Sequence, residues 1–195
     1  MTIDETTLRD MHEKYAPNEQ VLKRVYTHSV IVRDIAEQLM ERYGGELDHE
    51  LVRVGCMLHD IGVYQVFAKP EGQVPYIRHG VLGYEILKRE GMPEEVCRFA
   101  SHHIGVGLTR EDIIAQKLPL PPQDYIPETT EERLVSYADM FHSKHQPPQF
   151  NSIEFLKQQF AQFGEEHVPK VEVFVETFGL PDLEVLSHKY HNIIV

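Results

Sequence analysis

Leu58-His59-Asp60-Ile61-Gly62 is the stretch on which the reading of this chain turns. Before it, Leu51, Val54, Gly55 and Leu58 recur at helical spacing behind Asp48, a residue type that caps helix N-termini. A helix is therefore expected over about 49–60. Gly55 would let a neighbouring helix come close. His59 and Asp60 fall at the end of this helix, with Gly62 just beyond. Adjacent helical side chains point about 100° apart, so the pair can reach two sides of one small centre. The imidazole offers one directional bond; the carboxylate has two oxygens and can bridge two cations. A lone His-Asp pair is as a rule a surface pair, so its meaning depends on what else the chain brings.

Upstream, Val21, Val25, Val32, Ile35 and Leu39 form the apolar stripe of a long helix over about 18–43, ended by Gly44-Gly45. His28 lies on that stripe and faces inward, where an imidazole must find a partner. It is either a hydrogen-bonded core residue or a ligand. Downstream, residues 63–77 contain Pro70, Gly72 and Pro75 and read as a loop. His79 heads the stripe Leu82, Gly83 and Ile86 of a helix over 78–90. A short helix over 93–103, with Pro93 in its first turn, ends in Ser101-His102-His103. His103 follows the stripe Val96, Phe99 and Ala100, and His102 lies one step round. Spacing does not choose between them.

Residues 104–130 are broken by Gly105, Gly107, Pro119, Pro121, Pro122 and Pro127, with one helix at 110–117 behind Thr109. So long a segment beside a candidate site is either a substrate cover or a plain connector. Thr129-Thr130-Glu131-Glu132 is a capping-box pattern that opens a helix over 130–142. Asp139 sits deep in that helix after Leu134, Val135 and Ala138, which is costly unless it is paired or on a metal. Gln146-Pro147-Pro148-Gln149 is a break. Helices follow at about 151–163, 165–178 and 182–191, and another precedes at 4–15. His167, His188 and His191 read as surface residues. No repeat and no strand alternation is present. The expectation is all-α: a bundle of about eight to ten helices, one domain over 1–195, with its motif core at 20–145 and helices 150–191 packed on it.

Composition narrows the function. The 195 residues are 42% hydrophobic, enough for a real core. No apolar run approaches the roughly 20 residues of a membrane span. The start, Met1-Thr2-Ile3-Asp4-Glu5, is acidic and lacks the basic and apolar regions of a signal peptide, so a cytoplasmic protein is expected. Cys56 and Cys97 are the only cysteines, each in an apolar helical pattern, and read as buried thiols. The net charge is -12, from 31 acidic and 19 basic residues. That argues against nucleic acid or an anionic membrane as partner, but not against a small phosphorylated substrate. Twelve histidines beside two cysteines point to an imidazole and carboxylate site, suited to Fe, Mn, Zn or Ni.

In chain order the candidates are His28, His59-Asp60, His79, His102-His103 and Asp139. Three ligands on each of two metals, with Asp60 shared, use this set economically. His28, His59, Asp60 and Asp139 would hold one ion; Asp60, His79 and His102 or His103 would hold the other. Such a pair lowers the pKa of a bridging water and clamps both oxygens of an in-line displacement at phosphorus. Arg24, one turn before His28, and Lys69, Arg78 and Lys144 are the cations placed to orient a phosphate, though each is by default a solvated charge.

The pattern His28…His59-Asp60…Asp139 resembles the HD superfamily of metal-dependent phosphohydrolases, and Leu58-His59-Asp60-Ile61-Gly62 matches its HDIG variant. His79-Gly80 and His102-His103 are similar to the extra histidines of its dinuclear members. Those include the HD-GYP cyclic dinucleotide phosphodiesterases and the HD-type diadenosine tetraphosphate hydrolases. The resemblance covers about residues 20–145. It implies an all-α fold and hydrolysis of a small phosphoester or phosphoanhydride, a nucleotide for preference. It implies two divalent ions per chain, Fe or Mn ahead of Zn, Ni, Co or Mg. It implies His28, His59, Asp60, His79, Asp139 and, ahead of His103, His102 as ligands. Asp60 would then be the bridging carboxylate at the reactive water, with His103 beside it in catalysis. A homodimer is compatible with it.

No Gly-Tyr-Pro follows the His-Asp pair, where Ile61-Gly62-Val63-Tyr64 stands instead, which speaks against a cyclic-di-GMP phosphodiesterase. No sensor or synthetase domain is present, which makes a stringent-response role doubtful. The competing reading is an HD-fold di-iron oxygenase acting on a small organic substrate, because the same ligand set serves that chemistry. A third is a metal-stabilised binding protein without turnover.

Overall fold

One 25-residue helix, α2 (Glu19–Tyr43), is the axis on which the other elements pack. Asn18 caps it by accepting from the Val21 amide, and Gly44 ends it at φ 66°, the left-handed conformation glycine adopts without penalty. The computed structural model describes residues 3–195, so the Met1-Thr2 end of the N-terminal reading lies outside it. Before α2 comes α1 (Glu5–Tyr15). After it come α3 (His49–Leu58), α4 (Val63–Phe67), a 3-10 turn (Tyr76–Arg78), α5 (His79–Arg89) and α6 (Glu94–His102). Then follow α7 (Arg110–Ala115), α8 (Thr130–Met140), α9 (Ile153–Ala161), α10 (His167–Phe178) and α11 (Leu183–Tyr190). The all-α expectation holds.

α2 buries two faces. Val25 joins Leu8 of α1, Met57 and Leu58 of α3, Tyr64 of α4, Ile86 and Leu87 of α5, and Val96 and Ala100 of α6 in one apolar cluster. Ile31, Val32, Ile35 and Leu39 join Leu134, Val135 and Tyr137 of α8 with Phe174, Phe178 and Leu186 of the C-terminal helices in another. His28 therefore lies on the seam between two dry clusters. The segment 104–127 packs Ile113, Leu120 and Tyr125 on Ile77 and Val81, beside the start of α5.

Two features escape the periodicity. Val63-Tyr64-Gln65-Val66-Phe67, part of the expected loop, forms α4, a helix of five residues that is too short to show a period. Three two-residue strands, β1 (His142–Ser143), β2 (Gln149–Phe150) and β3 (Ile193–Ile194), form a small sheet in that order. β1 is antiparallel to β2 and β2 parallel to β3. The sheet brings the C-terminal residues beside the segment that follows α8. Of the three histidines expected at the surface, His188 and His191 are exposed, whereas His167 is buried at the start of α10.

His12, on α1, is fully buried. Its Nε2–H donates to the Met57 carbonyl at 2.7 Å, so its Nδ1 accepts from the Tyr64 hydroxyl at 2.6 Å. Burial pushes its pKa from 6.5 down to about 4. The unfolded chain then takes up this proton first. His12 costs nothing above about pH 7, destabilises progressively as pH falls from 6.5 towards 4, and levels off below that. Between pH 7 and pH 5 the loss comes to about 2 kcal/mol. In metal-free protein, the unfolding free energy of His12→Gln should fall by about 2 kcal/mol less than that of the wild type over this range. Urea unfolding at the two pH values measures it, and equal pH dependence in both proteins would contradict it.

Candidate metal centre

Five elements deliver the side chains. His28 projects from the middle of α2. His59 and Asp60 occupy the turn between α3 and α4, held by amide bonds from His59 to Gly55 (2.8 Å) and from Ile61 to Leu58 (3.1 Å). His79 is the first residue of α5, His103 caps the C-terminus of α6, and Asp139 lies in the last turn of α8. The turn and α5 meet backbone to backbone. A Cβ on Gly62 would stand 2.0 Å from the His79 carbonyl oxygen and 2.3 Å from the Gly83 nitrogen. Glycine at 62 is what lets Asp60 approach His79. Similarly, a Cβ on Gly55 would meet the Phe99 ring at 2.7 Å, the close helix approach expected there.

Hydrogen bonds set the histidine tautomers. Nδ1–H of His59 donates to the Cys56 carbonyl (2.8 Å), that of His79 to the Tyr76 carbonyl (2.7 Å) and that of His103 to the Phe99 carbonyl (3.0 Å). A carbonyl only accepts, so each Nδ1 carries the proton and each Nε2 turns a lone pair to the centre. His28 differs: its Nδ1 meets Nδ1 of His142 at 2.8 Å.

The inward atoms form two groups about Asp60. His28 Nε2 lies 3.3 Å from Asp60 Oδ2, 2.9 Å from Asp139 Oδ1 and 3.3 Å from His59 Nε2. His59 Nε2 lies 3.4 Å from Asp139 Oδ1. On the other side, His79 Nε2 and His103 Nε2 are 3.0 Å apart and lie 3.5 and 3.6 Å from Asp60 Oδ1. Ligands at about 2.0–2.2 Å from one ion stand roughly 3.0–3.5 Å from each other, and the spacings here run from 2.9 to 3.8 Å, the widest between His59 Nε2 and Asp60 Oδ2. Both Asp60 oxygens are buried without a hydrogen bond. Lys144 Nζ forms an ion pair with Oδ2 at 2.5 Å. Two ionised carboxylates and four inward imidazole nitrogens this close repel unless positive charge sits among them, and the one ammonium there, Lys144, reaches only the Oδ2 side of Asp60. The residues fit divalent cations.

Charge follows the same geometry. Burial alone would raise Asp60, but Lys144 and His59 beside it hold it well below the usual carboxylate range. Asp139 is likewise held low against burial, by His28 and His59 beside it. Burial, with Lys144 next to it, pushes His28 down to about 4. Burial does the same to His79. His59 is raised, because Asp60 and Asp139 outweigh its burial. His28 and His79 are thus held neutral and both carboxylates ionised, the states a metal needs, whereas His59 would have to give up its proton to a bound ion.

The expected residues divide. His28, His59, Asp60, His79 and Asp139 come together. His102 does not, which corrects the preference for it over His103. Its Nδ1 pairs with Ser101 Oγ at 2.7 Å and its ring packs 5.9 Å from that of Tyr125. The helix register puts His103 on the stripe with Phe99, and the step round sends His102 away from Asp60.

Two cavities adjoin the cluster. One of about 970 Å³ opens over Asp139 and Lys144, walled by Phe67, Lys69 and Tyr76. One of about 310 Å³ lies against His28 and His142, lined by Lys23, Arg24 and Asn192. Arg24 borders both; its Nε donates to the Lys144 carbonyl at 2.6 Å and its guanidinium lies 4.8 Å over the Phe67 ring. Lys69 reaches the rim of the larger cavity. Arg78, also expected as a phosphate cation, lines neither of these two cavities. It precedes His79 on the 3-10 turn, and its Nε is buried without a partner. Nor does 104–127 line either cavity: it is a connector on α5, and residues 66–76 wall the opening instead. Tyr76 and His142 went unread in the sequence. The signals were their three-residue spacing from His79 and from Asp139.

A sequence profile described as the HD domain matches residues 25–144. An uncharacterised protein of Methanocaldococcus jannaschii is 41% identical over 120 residues, 60% of this chain and 65% of that protein. A protein of Thermoplasma volcanium named tRNA (cytidine(56)-2'-O)-methyltransferase is 30% identical over 93% of this chain and 49% of its own length. The cyclic-di-AMP phosphodiesterase PgpH of Listeria monocytogenes is 30% identical over 63% of this chain and 21% of its own length. This chain thus spans less than two thirds of each of these relatives. Among solved structures, the PgpH HD domain in complex with cyclic-di-AMP superposes over 95% of this chain and 97% of its own, with TM-score 0.55 and 21% identity, a likeness of fold.

Proposed function

The chain belongs to the HD-domain family, and on that premise we propose that it is a metal-dependent phosphohydrolase acting on a small phosphoester or phosphoanhydride, a nucleotide for preference. The observation that carries this reading is Asp60, whose two buried oxygens face separate groups of imidazole nitrogens. Asp60 Oδ2 with His28, His59 and Asp139 would hold one divalent ion. Oδ1 with His79 and His103 would hold the other. Two such ions supply an acidified water and neutralise charge on the phosphoryl oxygens.

The chain's own residues do the rest. Asp60 ties the two positions together. The carbonyls of Cys56, Tyr76 and Phe99 keep three imidazoles turned inward. Asp139, a fifth exposed at the cavity, stands where substrate enters. Lys144 faces both Asp60 and the cavity, and Arg24 beside it adds a second cation for a phosphate. Phe67 and Tyr76 give the cavity an aromatic wall. A cation pair at the mouth of an otherwise acidic protein favours a phosphorylated substrate over a neutral organic one. The cyclic dinucleotide named for the PgpH relative is one candidate of this class. The methyl transfer named for longer relatives has no counterpart in a cluster of inward imidazoles about a carboxylate.

The test is a turnover screen of metal-reconstituted protein on mononucleotides, dinucleoside polyphosphates and cyclic dinucleotides, with oxygen uptake followed in parallel. Phosphate ester cleavage without oxygen consumption is expected. Oxygen uptake without phosphate release would replace this reading by the di-iron oxygenase. Ligand assignment is tested separately: His103→Ala should lose about one of two bound metals, and His102→Ala should keep both, as metal analysis of the purified variants will show.

A further inference from the structure

His28 Nδ1 and His142 Nδ1 stand 2.8 Å apart, both fully buried or nearly so. Two bare nitrogens at this distance would repel and two N–H groups would clash, so one proton lies between them. His142 Nε2 in turn meets the Asn192 side-chain amide at 3.2 Å. Asn192 sits between α11 and β3 and lines the smaller cavity. The other three inward histidines lean on backbone carbonyls, which accept only. His28 alone leans on a group that can either give or take.

The chain has two neutral arrangements with the same number of protons. In one, His28 Nε2–H donates to Asp139 Oδ1, 2.9 Å away, His142 Nδ1–H donates to His28 Nδ1, and the Asn192 amide nitrogen donates to His142 Nε2. In the other, His28 Nδ1–H donates to His142 Nδ1 and His142 Nε2–H donates to the Asn192 amide oxygen. Only the second leaves a lone pair on His28 Nε2. An amide serves both by presenting either end; a carbonyl or an ammonium serves one.

We propose that His142 and Asn192 are positioning residues for the first metal position, forming a switchable tautomer relay that turns the His28 Nε2 from proton donor to ligand. This rests on the metal-centre reading given above. It makes the C-terminal segment, 164 residues from His28 in the chain, part of the site. On metal entry the His142 Nδ1 proton moves to His28 Nδ1, the His28 Nε2 proton is released on the Asp139 side, His142 Nε2 takes up one proton from water in the smaller cavity, and Asn192 turns its amide; the net proton count is unchanged.

Three variants and one spectrum test it. His142→Leu removes the acceptor and should weaken Zn2+ binding about 10–100-fold in chelator competition, the usual cost of a lost outer-shell partner. His142→Asn, whose amide oxygen replaces Nδ1, should recover most of that loss. Asn192→Asp, which only accepts, should bind Zn2+ at least as tightly as the wild type. Melting of each metal-free variant reports the fold separately. Long-range 1H–15N spectra of the wild type should show His28 and His142 exchanging tautomers on adding Zn2+. If His142→Leu binds Zn2+ like the wild type, if His142→Asn gives no recovery, or if the tautomers stay as they were, the relay is wrong. A wild type that binds no Zn2+ at all would instead overturn the metal-centre reading.

Discussion

Asp60→Asn is expected to lose at least about 10³-fold in phosphohydrolase turnover and to retain at most one bound metal. An amide has one oxygen acceptor and no charge. It cannot hold two cations, and its nitrogen end would meet either the His28 and His59 side or the His79 and His103 side of the centre. Each Asp60 oxygen has its own imidazole neighbours, 3.3 Å away on one side and 3.5 Å on the other. Both positions are therefore affected by one substitution. Metal analysis of the purified variant, with circular dichroism to show that it has folded, measures the effect. Full metal content, or turnover within about tenfold of the wild type, would contradict the bridging role.

The largest effect on stability is expected from a single methyl group. Gly62→Ala should cost about 3 kcal/mol or more. The Gly62 φ of -72° suits any residue, so the loss is one of packing alone. The added Cβ would face the His79 carbonyl oxygen at 2.0 Å and the Gly83 nitrogen and Cα at 2.3 and 2.9 Å, all of them backbone. α5 has no room to withdraw, because a Cβ on Gly83 would already meet Ala100 Cβ at 2.9 Å. Gly72→Ala is the control. Gly72 has open space around it but a φ of +76°, so alanine there should cost only about 1 kcal/mol of backbone strain. Urea unfolding compares the two. A Gly62→Ala loss no larger than that of Gly72→Ala would show that α5 yields, and with it the tight junction between His79 and Asp60.

The helices were legible because each carries its own punctuation. Asn18, Asp48, Thr129 and Ser152 accept amide hydrogens at N-termini, and the stripe Val25, Val32, Ile35 and Leu39 is buried throughout. His28 and Asp139 stood out because a polar group on an apolar face needs a partner. His102 against His103 could not be read from composition, since neighbouring residues differ only in the helix register that aims them. α4 and the two-residue strands are too short for any period. His142 and Asn192 were out of reach for another reason. Their bond joins residues 50 apart in the chain; the spacing of His142 from Asp139 hinted at its place, but nothing local marks Asn192 as its partner.

The most direct test of the central claim is anomalous diffraction from crystals soaked in Mn2+. Two peaks about 3.5–4 Å apart should flank Asp60. One should sit among His28, His59 and Asp139, and the other against His79 and His103. A single peak, a peak held by His102, or two ions with no contact to Asp60 would contradict the account.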